Sequence, residues 1–446
     1  MDRSARAGRY FAMMRYEHRL MAAAICCIAF TCCKKEADVR PPVVTIIAPA
    51  NGFDLSVPDT LHVVADVSGE EDIDQVMFTV SNANGIPILE PLTVVPGSNP
   101  ARLEVGIPIT SDLITSGDYT LTVLARSGEA TGKDRTTIGL VGTPLRLRRV
   151  LVIGQPDAGS VSISVIDSTG AVSLANTLLM DLGGAAISSA GRTCAVMGSV
   201  QGPLMALAPN GVQVPWQKPN LGNSGIPWFT SLDLCEDGRY YVGTTDGAIR
   251  GYNAMTGATE RVSDLSTGQR ARVAAVVDER LVVGQVDQTG SAWRLGIHQA
   301  SSGSLVSEQA LDKSVVAMFR RTDTDVLLFG DRDGHGVVED HNMEGGGGWE
   351  PYSWPSGIAA VERVDDNTFL VALVDGALER FTYSNAGSVT IANIADMRDL
   401  ALDPVSGLVH VAAGDGVVAV DPGTGQVAAN YPIGVPVRYV LPLLNR

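Results

Sequence analysis

Positive charge is scarce in this sequence. Lys and Arg number 33 against 49 Asp and Glu, a net charge of −16. Nucleic-acid binding sets lysines and arginines against phosphates, and no basic stripe with interleaved aromatics occurs, which argues against nucleic acid as a partner. The six histidines (His18, His62, His298, His335, His341 and His410) are scattered, with no HExxH or H-x-H spacing. A Gly-x-Ser-x-Gly elbow and a Walker loop are also missing. No residue is thereby designated as catalytic, no metal or cofactor is implied, and the chain reads as a binding protein before an enzyme. Cysteine is nearly confined to one place: four of six are Cys26, Cys27, Cys32 and Cys33. The two in the body, Cys194 and Cys235, fall on expected core strands and read as buried thiols, not as a disulfide or metal site.

A long apolar run is missing too. The strongest, Leu20 to Thr31, is short for a bilayer span, and five arginines between Arg3 and Arg19 precede it. That is the layout of an export signal. The run ends at Thr31-Cys32-Cys33, followed by Lys34-Lys35-Glu36. These residues resemble the signal of bacterial lipoproteins, in which the first residue after cleavage is a lipid-bearing cysteine. The resemblance implies lipidation at Cys33, with Cys32 as the alternative and an ordinary secretory signal as the other reading. It places the protein outside the cytoplasm at the outer membrane, touching the membrane through a lipid anchor alone.

Turn residues are what the sequence has in quantity, with 48 Gly. Residues 34–42 are polar and end in Pro41-Pro42, which suits a tether. Over 43–142, strand patterns such as Leu61–Val67, Val76–Val80 and Tyr119–Leu124 alternate with turns such as Asn84-Gly85. About seven strands without a helix predict a β-sandwich. The run Gly117-Asp118-Tyr119-Thr120-Leu121 resembles the tyrosine corner of immunoglobulin-like domains, and implies a bacterial Ig-like spacer.

From 143 to 446 the sequence repeats. The stretch Arg239–Gly257 sets two strand patterns around Asp246-Gly247, and the pattern returns at Asp375-Gly376 and Asp415-Gly416. Looser copies lie at Gly159, Gly202, Gly290 and Gly334, so the turn glycines recur every 40–45 residues. A period of that length, with about four strands per unit, predicts a β-propeller. The first unit lacks an opening strand and the tail offers an orphan, Val437–Leu441, so the expectation is seven blades closed by the C-terminal strand. The whole is an all-β chain: signal segment 1–33, tether 34–42, Ig-like sandwich 43–142, propeller 143–446. Ala419-Val420-Asp421-Pro422-Gly423-Thr424-Gly425-Gln426 resembles the repeat of quinoprotein-like propellers, although the tryptophan that follows in that repeat is missing. The WD dipeptide of WD40 repeats is missing as well, and the resemblance implies a fold without an activity.

Three groups are candidates for chemistry. Asp331-Arg332-Asp333-Gly334-His335-Gly336 has the start of an EF-hand loop, but Asn342 stands where the closing Glu belongs and Asp333-Gly334 takes the hairpin position. It reads as a turn. Arg272, Arg398 and Arg438, with Lys313 nearby, open innermost strands at equivalent positions and would converge on one mouth of the channel as an anion site. The alternative is that neighbouring acids such as Asp399 satisfy them. Trp216, Trp228, Trp349, Tyr352 and Trp354 gather in two connections between blades, where they either stack on sugar rings or fill the wedge between blades. The expected function is non-catalytic recognition of a glycan or an envelope partner protein. The alternatives are a propeller enzyme at the channel mouth (polysaccharide lyase, glycosidase or quinoprotein-type oxidoreductase) and a structural part of an envelope assembly.

Overall fold

The computed structural model describes residues 40–223 and 225–446. Cys32, Cys33 and most of the tether lie outside the described residues. The chain divides into two units, meeting between Thr143 and Pro144.

The first unit is a β-sandwich. One sheet has the order Val43–Ala48, Asp59–Ser68, Ala101–Ile109; the other has Phe53–Ser56, Ala130–Val141, Gly117–Ser127, Gln75–Ser81, Leu92–Val94. Period-two patterning turns Leu61, Val63, Ala65 and Val67 inward to meet Val76, Phe78, Val80, Leu121 and Val123 in one core. The Tyr119 hydroxyl donates to the Thr115 carbonyl at 2.9 Å, tying the end of its strand to the preceding turn. Two strands carry no clear sequence pattern. Phe53–Ser56 reads apolar, polar, apolar, polar over four residues only, and pairs in parallel with Ala130–Val141. Leu92–Val94 is a three-residue edge.

The second unit is a seven-bladed β-propeller: seven sheets of four strands, all antiparallel. In six blades the strands follow chain order from the centre outward. Their innermost strands are Gly184–Ser188 (blade II), Phe229–Leu234 (III), Gln269–Val277 (IV), Ser314–Arg320 (V), Ile358–Arg363 (VI) and Met397–Leu402 (VII). Blade I is shared between distant parts of the chain. Leu147–Asp157, Ser160–Ile166 and Val172–Leu178 supply three strands, and Val437–Leu444 supplies the innermost, with Val440 opposite Val152 and Leu441 opposite Leu151. Each innermost strand then packs against the next, and the circuit closes where Val437–Leu444 touches both Gly184–Ser188 and Met397–Leu402.

The second strands explain why the sheets stack. Tyr240-Tyr241-Val242, Leu281-Val282-Val283 and Val326–Phe329 are buried on both faces, as sheets pressed between neighbours require. The turns are more varied than the Asp-Gly repeats suggest. Asp333 and Gly334 (φ 55° and 81°) form a two-residue hairpin loop, and the Gly334 amide donates to the Asp331 carboxylate at 2.8 Å. The segment expected as a turn is one. At Gly247 and Gly376 the loop is three residues, with glycine alone at positive φ. Near the C-terminus the turn is Gly414-Asp415, one residue earlier than the repeat implies. In the Asp421 motif the carboxylate accepts the amides of Gly423 (2.7 Å) and Thr424 (3.1 Å). Gly425 sits at φ 75° with its Cα so close to blade VI that a Cβ would lie 1.8 Å from the Ile391 carbonyl oxygen. The motif is a seam between blades. Cys194 and Cys235 are buried and unpaired, and burial pushes the Cys194 thiol up to about 12.

The shared blade yields a test. A chain ending at Gly434 leaves Leu147–Asp157 with an unpaired edge, and its propeller is expected to lose its cooperative melt or to aggregate. A thermal melt indistinguishable from the parent's would show that closure is not required.

Candidate functional site

Six of the seven innermost strands enter the ring through an irregularity; Gly184–Ser188 of blade II pairs without one. The register shifts between Phe229 and Ser231, Ala271 and Val273, Val315 and Ala317, Ile358 and Ala360, Met397 and Asp399, and Val437 and Tyr439. A shift of this kind leaves one residue unpaired and re-aims its side chain. That residue is Thr230, Arg272, Val316, Ala359, Arg398 or Arg438 in turn, so the three arginines occupy one structural position in blades IV, VII and I.

The innermost strands enclose a cavity of about 620 Å³ whose wall includes Asp233, Arg272, Trp293, Arg398, Asp399 and Tyr439. Arg398 is committed: it pairs with Asp396 at 2.5 Å and donates to the Val437 carbonyl at 3.1 Å. Arg272 and Arg438 have neither a hydrogen bond nor an ion pair among the described residues. Burial, with repulsion from Arg270, holds the Arg272 guanidinium below its ordinary value. Arg438 is exposed beside Tyr439 and stands outside the cavity wall. Arg272 and Arg398 therefore share one cavity, and Arg438 borders it.

The acids here do not serve the arginines. Asp233 accepts the Ala274 amide at 3.1 Å, Glu362 the Leu402 amide at 3.0 Å, and Asp399 the Val440 amide at 2.8 Å. Each carboxyl thus latches its own innermost strand to that of the next blade. Burial pushes Asp233 and Glu362 up to about 7, and burial with the nearby Glu362 pushes Asp399 up to about 8. Below those values the carboxyls are neutral while the arginines stay charged, so the wall is net positive. The Tyr439 hydroxyl is pushed up to about 12, by burial first.

The aromatic candidates separate. Trp216 lies on the outermost strand of blade II (Trp216–Lys218) and is only 9% exposed. Its indole N–H donates to the Ala254 carbonyl at 3.0 Å. Trp354 is 2% exposed, donates to the Ser388 hydroxyl at 3.1 Å and packs on Phe329 and Phe381. Both fill the wedge between blades because a ring with a satisfied N–H is worth more buried than wet. Trp228 is half-buried beside Phe229, and Tyr352 is half-buried against Trp354. Trp349 and Tyr352 belong to an outermost strand, Gly348–Ser353, where a connection is expected. Trp349 alone among the five tryptophans is exposed, at 57%. The cavity-lining tryptophan is instead Trp293, which opens a third strand directly after the Gly290 turn. Among the described residues no cluster of His, Cys, Asp and Glu has metal-binding geometry.

Residues 42–123 match the family model of a bacterial Ig domain. No curated protein matches the chain. Among solved structures the chain is similar to BamB from Moraxella catarrhalis, at 17% identity over 57% of this chain and 76% of that one, with a TM-score of 0.39. It is also similar to the WD40 propeller domain of Doa1 (12% identity, 62% and 96% covered, TM-score 0.47). A third similarity is to a quinoprotein alcohol dehydrogenase-like protein from Bacteroides thetaiotaomicron (11%, 92% and 100%, 0.45).

The latching acids make stability depend on pH. A carboxyl raised in the folded state holds its proton where the unfolded chain has released it. The stability it contributes is full below the ordinary carboxylate range, falls steadily from there as pH rises to 7 to 8, and is flat above. Each pKa unit corresponds to about 1.4 kcal/mol. Asp399→Asn keeps an oxygen for the Val440 amide and has no proton to lose. Its Tm is expected to come nearest the parent's below pH 4 and to exceed it by a margin that widens up to about pH 8; parallel Tm profiles would refute the assignment.

Proposed function

We propose that the protein is a recognition protein of the cell envelope, exported and lipid-anchored at Cys33 (or Cys32), with the sandwich as spacer and the propeller as binding head. The ligand group is anionic, presented by an acidic glycan, and it seats at the cavity that Arg272 and Arg398 line and Arg438 borders. One observation carries this reading: Arg272 and Arg438 hold guanidinium forks that no carboxylate among the described residues engages. An unengaged guanidinium matches a carboxylate or sulfate in two-point geometry. The chain's overall negative charge confines anion attraction to such a local patch.

A second reading is catalytic, and it has its own observation. Asp233 and Asp399 line the same cavity with carboxyls raised to about 7 and 8, the range in which a carboxyl serves as general acid. Their backbone latches give the same acids a structural role, which is why binding stands first.

The full chain with uronate and sulfated oligosaccharides, followed for both affinity and turnover, separates these readings. Binding without turnover is expected. Arg272→Ala and Arg438→Ala should each weaken it roughly tenfold to a hundredfold, the loss of one charge-assisted contact. Binding that ignores both substitutions removes the anion site. Turnover that Asp399→Asn abolishes favours the enzyme, and neither binding nor turnover leaves a role in envelope assembly. Separately, Cys33→Ser is expected to stop incorporation of labelled fatty acid in cells; incorporation that persists in Cys33→Ser and stops in Cys32→Ser would move the anchor by one residue.

A further inference from the structure

We infer that a second binding site, for a neutral saccharide ring, lies at the outer seam between blades V and VI, centred on Trp349. It is independent of the cavity and of the anionic ligand proposed there. Asp340, on the third strand of blade V, pairs directly across from Trp349 on the fourth. Cross-strand partners stand on one face with side chains in reach of each other. Tyr383 approaches from blade VI, its ring 6.3 Å from the Trp349 ring and nearly perpendicular to it, at 81°. The Tyr383 hydroxyl donates to Asp340 Oδ2 at 2.5 Å. Arg321 reaches the same oxygen at 3.0 Å while its guanidinium stands 4.4 Å over the Tyr383 ring.

One oxygen of the Asp340 carboxylate is thus doubly engaged and the other is not. Asp340 Oδ1 is shielded from solvent and has no hydrogen-bond donor. A buried acceptor left open costs free energy, and its presence calls for a donor that the described residues do not supply. Beside it Trp349 keeps 57% of its surface in water. An exposed side chain changes rotamer freely, so the indole can shift to admit a hydroxyl to Oδ1 while its face takes the C–H face of the same ring. Of the glycines before the indole, Gly347 is open, since a Cβ there would meet nothing within 4 Å, whereas Gly348 is packed on the Glu339 side chain.

The chemistry selects among occupants. Asp340 and Asp325 both act on Tyr383 against Arg321, so two acids outnumber the arginine there and disfavour an anion. A protein partner needs about 800 Å² of contiguous surface per side, whereas the apolar surface identified here is the Trp349 indole against the Tyr383 ring. A hydroxyl-bearing ring with one apolar face fits both the stacking surface and the open acceptor.

The test titrates the full chain with neutral hexasaccharides (cellohexaose, xylohexaose, mannohexaose, maltohexaose and chitohexaose) by calorimetry and by tryptophan fluorescence. At least one is expected to bind and to perturb the exposed indole. Trp349→Ala should weaken that binding about tenfold or more, Trp349→Phe should retain most of it, and Arg272→Ala should leave it unchanged. Trp349 is exposed, so these variants are expected to melt as the parent does. The inference is overturned if no member of the panel binds, if Trp349→Ala binds as the parent does, or if Arg272→Ala is the substitution that abolishes binding.

Discussion

The pairing of Val437–Leu444 with Leu147–Asp157 is the contact on which the propeller depends. A four-stranded blade buries little by itself. Its apolar faces are covered only when blades stand on both sides, and that condition holds for all seven only in a closed ring. Further bonds hold the closing strand in place. The Asn445 side chain accepts the Arg146 amide at 2.8 Å, and the Leu444 amide donates to the Ser189 hydroxyl at 2.9 Å, which ties blade I to blade II. On the other side the Asp399 carboxyl takes the Val440 amide. The closing strand is fastened to both neighbours as well as to its own sheet.

Closure also determines where charge is presented. The bulge repeats at the start of innermost strands, and whatever residue it carries is aimed differently from the ladder around it. Small or apolar residues there, such as Ala359 and Val316, contribute no charge. Arginine at the same position in three blades, two of them with no partner, turns a geometric irregularity into an electrostatic one. The acids that would have quenched it face the neighbouring backbone instead, held neutral by burial up to about pH 7. Latching of blades and exposure of the guanidinium groups are two results of one arrangement.

Much of this was legible from repetition. Turn glycines at 40–45 residue spacing reveal the blade, and the missing first strand with the orphan last one reveals the closure, because both are patterns of order along the chain. Side-chain destinations are not. Trp216 and Trp354 sit in polar, proline-rich stretches that read as connections, yet Ala254 and Ser388 on neighbouring elements offer their indoles a partner and draw them inside. Trp293 reaches the cavity from the first position of a third strand, which no local pattern announces. The alignment of Arg272 with Arg398 comes from counting back from the turn glycines, and that of Arg438 from matching the apolar residues of the tail. That each sits on a bulge depends on hydrogen-bond register, and so does the commitment of Arg398 to Asp396. The strand Phe53–Ser56 escapes notice because four residues are too few for a period and its partner is parallel.

The sharing of blade I has a consequence in time. Leu441 and its partner Leu151 are separated by 290 residues along the chain. Bringing together ends that far apart costs about 5 kcal/mol in loop entropy if nothing between them is ordered. Intervening blades that condense first would carry the two strands toward each other, so closure is expected late in assembly. Until it occurs, the chain is a row of stacked sheets with a sticky strand at each end, open to pairing with another copy of itself.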